Sequence, residues 1–85
     1  MAKEKLSCEE IESRIKQVIS TTLGVAENKL QPNLKLRDDL GVDSFTAIEL
    51  IYNAEDRFGI EITDSEAVNI ITIADIIKIV QEKTR

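Results

Sequence analysis

Leu40-Gly41-Val42-Asp43-Ser44-Phe45-Thr46-Ala47-Ile48-Glu49-Leu50 is the stretch on which the reading of the chain turns. A glycine-containing loop leads into the polar pair Asp43-Ser44, and the pair opens a run with helical spacing. An aspartate ahead of a helix accepts hydrogen bonds from the unpartnered N–H groups of the first turn, so Asp43 is the predicted N-cap. Ser44 then falls at or next to the first helical position, its hydroxyl beside the positive end of the helix dipole. An anion joined to that hydroxyl would be stabilised by free N–H groups and dipole together, so the position suits a serine that carries a phosphate ester. Taken without its surroundings, a serine at a helix start is commonplace, and the plain structural reading would be the simpler one.

The helical pattern continues over about 44–57. At ~100° per residue, Ala47, Leu50, Ile51, Ala54 and Phe58 share one side of this helix within an arc of about 100°, the predicted core stripe. Phe45, Ile48 and Tyr52 form a second apolar strip roughly 140° from the first. Glu49 and Asp56 flank the strip, and Glu55 lies on its other side. Packing requires only the first stripe. The preceding loop can cover part of Ile48, but Phe45, beside an exposed Ser44, is expected to stay open. An apolar strip edged by acids has the anatomy of a docking face, in which the centre holds a partner and the rim attracts a basic one.

Before this helix, Ser7-Cys8-Glu9-Glu10 is a capping-box pattern, and Ile11, Ile15, Val18, Ile19 and Leu23 recur at helical spacing. They predict a first helix over about 8–21, ended by Thr21, Thr22 and Gly24. Residues 1–6 are short, charged and expected to fray. Residues 25–40 form a long connection punctuated by Asn28, Pro32 and Asn33 and anchored by Leu30, Leu34, Leu36 and Leu40. Its Lys35, Arg37, Asp38 and Asp39 read as solvated surface. A calcium loop does not fit, because the Asp-x-Asp-x-Asp-Gly spacing and the closing bidentate glutamate are missing. After the second helix, Gly59 is the predicted terminator, and Ile60-Glu61-Ile62 an extended connector that buries one or both isoleucines. Thr63 to Glu66 offers caps for a short helix over about 65–69. Thr72-Ile73-Ala74-Asp75 begins a last helix over about 73–82, with Lys78, Lys83 and Arg85 late in it, where the dipole favours cations.

The totals narrow the function classes. Eighty-five residues allow one small domain, and a hydrophobic content of 42 % with one tyrosine, two phenylalanines and no tryptophan predicts an aliphatic core. The formal charge of −5 disfavours nucleic acid and anionic membrane and favours basic partners. With no histidine, the commonest general base and zinc ligand are absent. The single Cys8 fits a reducing compartment and has no histidine to activate it. No run has signal-peptide or transmembrane character, so a cytoplasmic location is expected.

Gly41-x-Asp43-Ser44 with an apolar residue next, the amphipathic helix behind it, and the exit Glu55-Asp56-Arg57-Phe58-Gly59-Ile60-Glu61-Ile62 resemble the acyl carrier protein family, over about 11–80. The resemblance implies an all-α fold: one domain over 1–85, a small acyl-carrier-like bundle of three main helices plus one short helix, with a long first loop. It implies that Ser44 is esterified with 4′-phosphopantetheine drawn from coenzyme A, with Asp43 as the cap beside it. It implies a non-catalytic carrier of acyl thioesters in fatty-acid or related polyketide or lipid biosynthesis. The interior positions that would then take an acyl chain are Ala47, Leu50, Ile51, Ala54, Ile62, Ala67, Ile70 and Ile71, although ordinary core accounts for each equally well. The implied partners are a phosphopantetheinyl transferase and acyl-loading and acyl-processing enzymes with basic patches, which would meet Phe45, Ile48, Glu49, Tyr52, Glu55 and Asp56. No nucleic acid, no membrane insertion and a monomer are expected. Two residues depart from the family pattern: Phe45 stands where leucine usually follows the serine, and Thr46 where fatty-acid carriers often have an acid. They leave open a specialised aminoacyl, peptidyl or D-alanyl carrier. A third class, an acidic helical interaction module with an unmodified Ser44, is also compatible with the residues.

Overall fold

The computed structural model describes residues 7–84; the expected fraying of residues 1–6 and the place of Arg85 lie outside the described residues. Four α-helices run in the order α1 (Cys8–Leu23), α2 (Ser44–Phe58), α3 (Asp64–Ala67) and α4 (Ile73–Lys83). The only extended pairing among the described residues is a single bridge between Lys35 and Thr72. The expected all-helical bundle of three longer helices and one short one is what forms.

Each start follows from a side-chain cap. The Ser7 hydroxyl accepts the Glu10 N–H at 3.1 Å, and the Glu10 carboxylate accepts the Ser7 N–H at 3.4 Å. Thr63 with Glu66 and Thr72 with Asp75 make the same reciprocal pair at α3 and α4. Helices α1 and α2 end on Gly24 and Gly59 in the left-handed conformation, at φ 72° and 64°, where a side chain would be strained. The first helix is longer than its threonines predict. It runs through Thr21 and Thr22 because Leu23 packs against the core and the Thr22 hydroxyl accepts from Asn53 of α2 at 2.8 Å.

The short helix also differs from expectation. It occupies Asp64–Ala67 rather than 65–69. Past Ala67 the chain tightens into three-residue turns, with Asn69 N–H on the Glu66 carbonyl and Ile70 N–H on that of Ala67. The tightening turns Ile70 against the core and leaves Ile71 outside, 59 % exposed. Ile71 was expected in the interior. It is excluded because its backbone is already engaged: its carbonyl accepts from Leu36 at 2.9 Å and its N–H donates to Asp75 at 2.9 Å.

The core is aliphatic. Ile11, Ile15, Val18 and Ile19 of α1 meet Leu50 of α2 and Ile73, Ile76, Ile77 and Val80 of α4, closed from one side by Leu30, Leu36 and Val42 of the long loop. No polar side chain is buried among the described residues. On α2 the buried positions are Leu50 and Ala54; Ala47 and Phe58 are half-buried against the core, and Ile51 lies at the edge of the stripe. Of the connector isoleucines, Ile62 is buried and Ile60 packs half-buried against the core. The long loop is stitched to the α3–α4 link. Ile73 N–H donates to the Leu34 carbonyl at 3.1 Å and Ala74 N–H to that of Pro32 at 2.8 Å, so the loop closes the first donors of α4.

Two expectations follow. Leu50→Ala should destabilise the fold by ~2–5 kcal/mol, and Ile51→Ala by less, when urea unfolding of the two is compared with the parent. The second concerns acid. The Asp43, Glu66 and Asp75 carboxyls are each held below their ordinary range, first by the backbone N–H of Thr46, Thr63 and Thr72 respectively. Groups depressed in the folded state add stability that is fully present above the unfolded values, near ~4, and is lost as pH falls through the lower folded values. Unfolding midpoints should hold between pH 5 and 7 and fall below about pH 4, more shallowly in Asp75→Asn than in the parent.

Candidate functional site

The α2 start is built as the sequence predicts. Asp43 sits in extended backbone, and its carboxylate accepts the Thr46 N–H at 2.8 Å. That leaves the N–H groups of Ser44 and Phe45, which precede the helical ladder, with no acceptor among the described residues. The contrast with α4 is sharp, because there the long loop closes the corresponding pair. Ser44 is exposed, at the open end of a 15-residue helix.

A residue outside the sequence expectation joins the site. Arg37, read as solvated surface, donates from Nη2 to the Ser44 Oγ at 3.3 Å. The loop makes the approach possible by folding back over a compact turn. Asp39 and Leu40 N–H reach the Lys35 carbonyl, Gly41 N–H the Arg37 carbonyl, and Val42 N–H the Leu36 carbonyl. Gly41 takes the left-handed conformation this turn needs, at φ 69°. The Asp43 carboxyl is held low first by the Thr46 N–H and to a smaller extent by the charge of Arg37. The site therefore offers an exposed hydroxyl with open N–H donors and a guanidinium beside it. Such a group can hold an anionic ester; among the described residues the hydroxyl's side-chain partner is Arg37, and no carboxylate hydrogen-bonds to it.

The second apolar strip of α2 is open: Phe45 is 76 %, Ile48 58 % and Tyr52 68 % exposed. Glu49 and Asp56 are exposed beside it. Glu55, expected on the same rim, is half-buried and accepts the Ile62 N–H at 2.7 Å, so it ties α2 to the connector. Between α2 and the connector lies an open depression of about 550 Å³, lined by Ile48, Ile51, Glu55, Ile62, Thr63 and Ala67 among others. Ser44, Ile48, Ile51 and Glu55 follow each other at helical spacing on one ridge of α2, so the depression begins a turn below Ser44. Of the positions expected to take a chain, Ile51, Ile62 and Ala67 line this depression. Leu50 and Ala54 are closed into the interior, Ala47 and Ile70 pack half-buried against the core, and Ile71 lies outside.

Comparison with known proteins agrees with this geometry. Residues 13–80 match the family described as phosphopantetheine attachment site. The chain is 39 % identical over 77 residues to an acyl carrier protein of Thermotoga maritima, covering 91 % of this chain and 95 % of that one. The fold superposes on the acyl carrier protein of Enterococcus faecalis with a TM-score of 0.76 at 27 % identity, covering 92 % of this chain and 99 % of that one. A Mycobacterium tuberculosis structure described as an acyl carrier protein gives a TM-score of 0.76 at 35 % identity, covering 80 % and 90 % of the two chains. A helix-start serine with open donors, in a bundle and a sequence shared with these proteins, makes this chain a member of the acyl carrier protein family, which bears a phosphopantetheine prosthetic group and works with modifying and acyl-processing enzymes.

Proposed function

We propose that the chain is a single carrier domain in which Ser44 bears the phosphopantetheine and partner enzymes dock over the open strip of α2. The observation that carries the reading is the exposed Ser44 hydroxyl at a helix start whose leading N–H groups have no acceptor among the described residues, with the Arg37 guanidinium donating to that hydroxyl. The residues fit the group: open donors, the dipole of α2 and the Arg37 guanidinium all face a negative charge attached at Oγ. In attachment, the Ser44 oxygen forms a bond to the phosphorus of coenzyme A that carries the pantetheine, and that phosphorus's bond to the bridging oxygen of the pyrophosphate breaks, so that adenosine 3′,5′-bisphosphate leaves. The hydroxyl proton passes to a base of the transferase, since this chain has no histidine and no base hydrogen-bonds to the Ser44 hydroxyl among the described residues. The arm supplies a flexible tether whose terminal thiol holds a carboxylic acid as a thioester.

The protein itself catalyses nothing in this reading; it presents Ser44, binds partners and shelters cargo. Phe45, Ile48 and Tyr52 form the docking centre, with Glu49 and Asp56 on its acidic side. The depression below Ser44, with Ile51, Ile62 and Ala67 on its wall, is the place for the first part of a carried chain. The cargo is an acyl group of fatty-acid or related lipid or polyketide synthesis. A specialised aminoacyl, peptidyl or D-alanyl pathway is the second reading, favoured by Phe45 and Thr46 at the head of α2. No described helix is long and apolar enough to cross a membrane. We read the protein as a monomer acting in the cytoplasm.

Ser44→Ala should fold as the parent does yet gain no mass on incubation with coenzyme A and a phosphopantetheinyl transferase; a labelled variant would move the attachment site elsewhere. For docking, Phe45→Ala should change unfolding free energy by no more than ~0.5 kcal/mol. It should slow modification by roughly tenfold, the loss of a contact worth ~1.4 kcal/mol. Reversing Glu49 and Asp56 to Lys together should lower the association rate and flatten its salt dependence. A Phe45→Ala variant that unfolds easily but is modified at the parental rate would remove the docking assignment.

A further inference from the structure

We propose that Arg37 holds the phosphodiester of the arm: its guanidinium pairs with the non-bridging oxygens of the phosphorus attached at the Ser44 Oγ and fixes the direction in which the arm leaves the protein. The proposal rests on Ser44 being the attachment point.

The hydroxyl that would become the ester oxygen already accepts from Arg37 Nη2 at 3.3 Å. A phosphorus bonded to that oxygen places its other oxygens within one further bond of the same guanidinium, whose remaining N–H groups are suited to planar, paired contacts with phosphate. The backbone at residue 37 is fixed independently of the side chain. Leu36 is buried before it and the Arg37 carbonyl accepts the Gly41 N–H at 3.1 Å, while Val42 N–H donates to Leu36 at 2.9 Å. Arg37 makes no ion pair among the described residues. The nearby acids are engaged with backbone instead: Asp39 accepts the Lys35 N–H and Asp43 the Thr46 N–H, each at 2.8 Å.

Charge gives the reason such a residue is needed. Asp38, Asp39 and Asp43 surround the attachment loop in a chain of net charge −5, and a phosphodiester there adds a further negative charge. Open helix donors offset part of the repulsion, and among the described residues Arg37 supplies the full positive charge that touches Ser44. Because the pair is exposed, it is weak and sensitive to salt, so it orients the arm without locking it.

Phosphorus NMR of the holo protein tests this, after peptide mass mapping has located the arm. In the parent, the phosphodiester resonance should move and narrow as salt is raised from roughly 10 mM to 1 M, where screening is nearly complete. In R37A it should lie from the start at the high-salt position of the parent, with a narrower line and little salt dependence. R37K, which keeps charge but loses the fork, should fall between. Arg37 is exposed and the turn is held by backbone, so R37A should match the parent in circular dichroism. With the arm mapped to Ser44, parent and R37A resonances that coincide in position and width at low salt would overturn the role of Arg37 alone. An arm mapped to another residue would overturn the attachment reading itself, and this proposal with it.

Discussion

Backbone hydrogen bonding is the constraint on which the rest of this structure depends. The connection between α1 and α2 contains, apart from a three-residue turn at Glu27–Lys29, no helix in which to pair its own N–H and C=O groups. It pairs part of them in its own turns and part with the residues at the head of α4. Leu36 N–H meets the Ile71 carbonyl, and the Leu34 and Pro32 carbonyls take the Ile73 and Ala74 N–H groups. Pro32 cannot donate, but here only its carbonyl is required. One set of bonds thus satisfies the loop and seals the α4 N-terminus, whose third donor is taken by the Thr72 hydroxyl. With residues 34–36 held there, Leu36 is buried, the turn over Arg37–Gly41 closes on itself, and Asp43 arrives as a cap. No further length of loop remains to cover Ser44. The open site is a geometric remainder of how the closed one is satisfied.

Features set by residues within a few positions of one another were legible in the sequence. Ser7, Asp43 and Thr72 cap as their spacing to the following acid or helix implies, and Gly24 and Gly59 end helices. The two faces of α2 were legible from period alone, because a helix carries its angular pattern wherever it packs. What depended on distant partners was not. Ile71 looks like core by composition, but the Leu36 pairing turns it outward. Glu55 looks like one rim acid among several, until the connector brings the Ile62 N–H to it. Arg37 is separated from Ser44 by a turn whose closure no local pattern announces, so the residue that donates to the hydroxyl read as plain surface.

The acids of this chain, for all its negative charge, divide by task. Glu66 lies between the Thr63 cap and a 3.0 Å pair with Lys83, which links the four-residue α3 to the end of α4. Asp75 holds two N–H groups at the head of α4, and Asp39 one in the long loop. Each of these carboxylates fixes backbone. The exposed Glu49 and Asp56 hold no hydrogen bond or ion pair through their carboxylates among the described residues. A count of acids therefore overstates the negative surface left open to solvent, because the carboxylates that hold backbone have part of their charge engaged in the fold.

The placement of the aromatic side chains has a spectroscopic consequence. There is no tryptophan, and Tyr52, the one tyrosine, stands 68 % exposed on the outer strip of α2, away from the aliphatic core. Unfolding moves that ring from water to water, so its emission is a poor reporter of folding. A partner that covers the strip changes the ring's surroundings far more than denaturation does. Tyrosine emission from this protein therefore says little about whether it is folded, and would respond more to any surface laid over that strip.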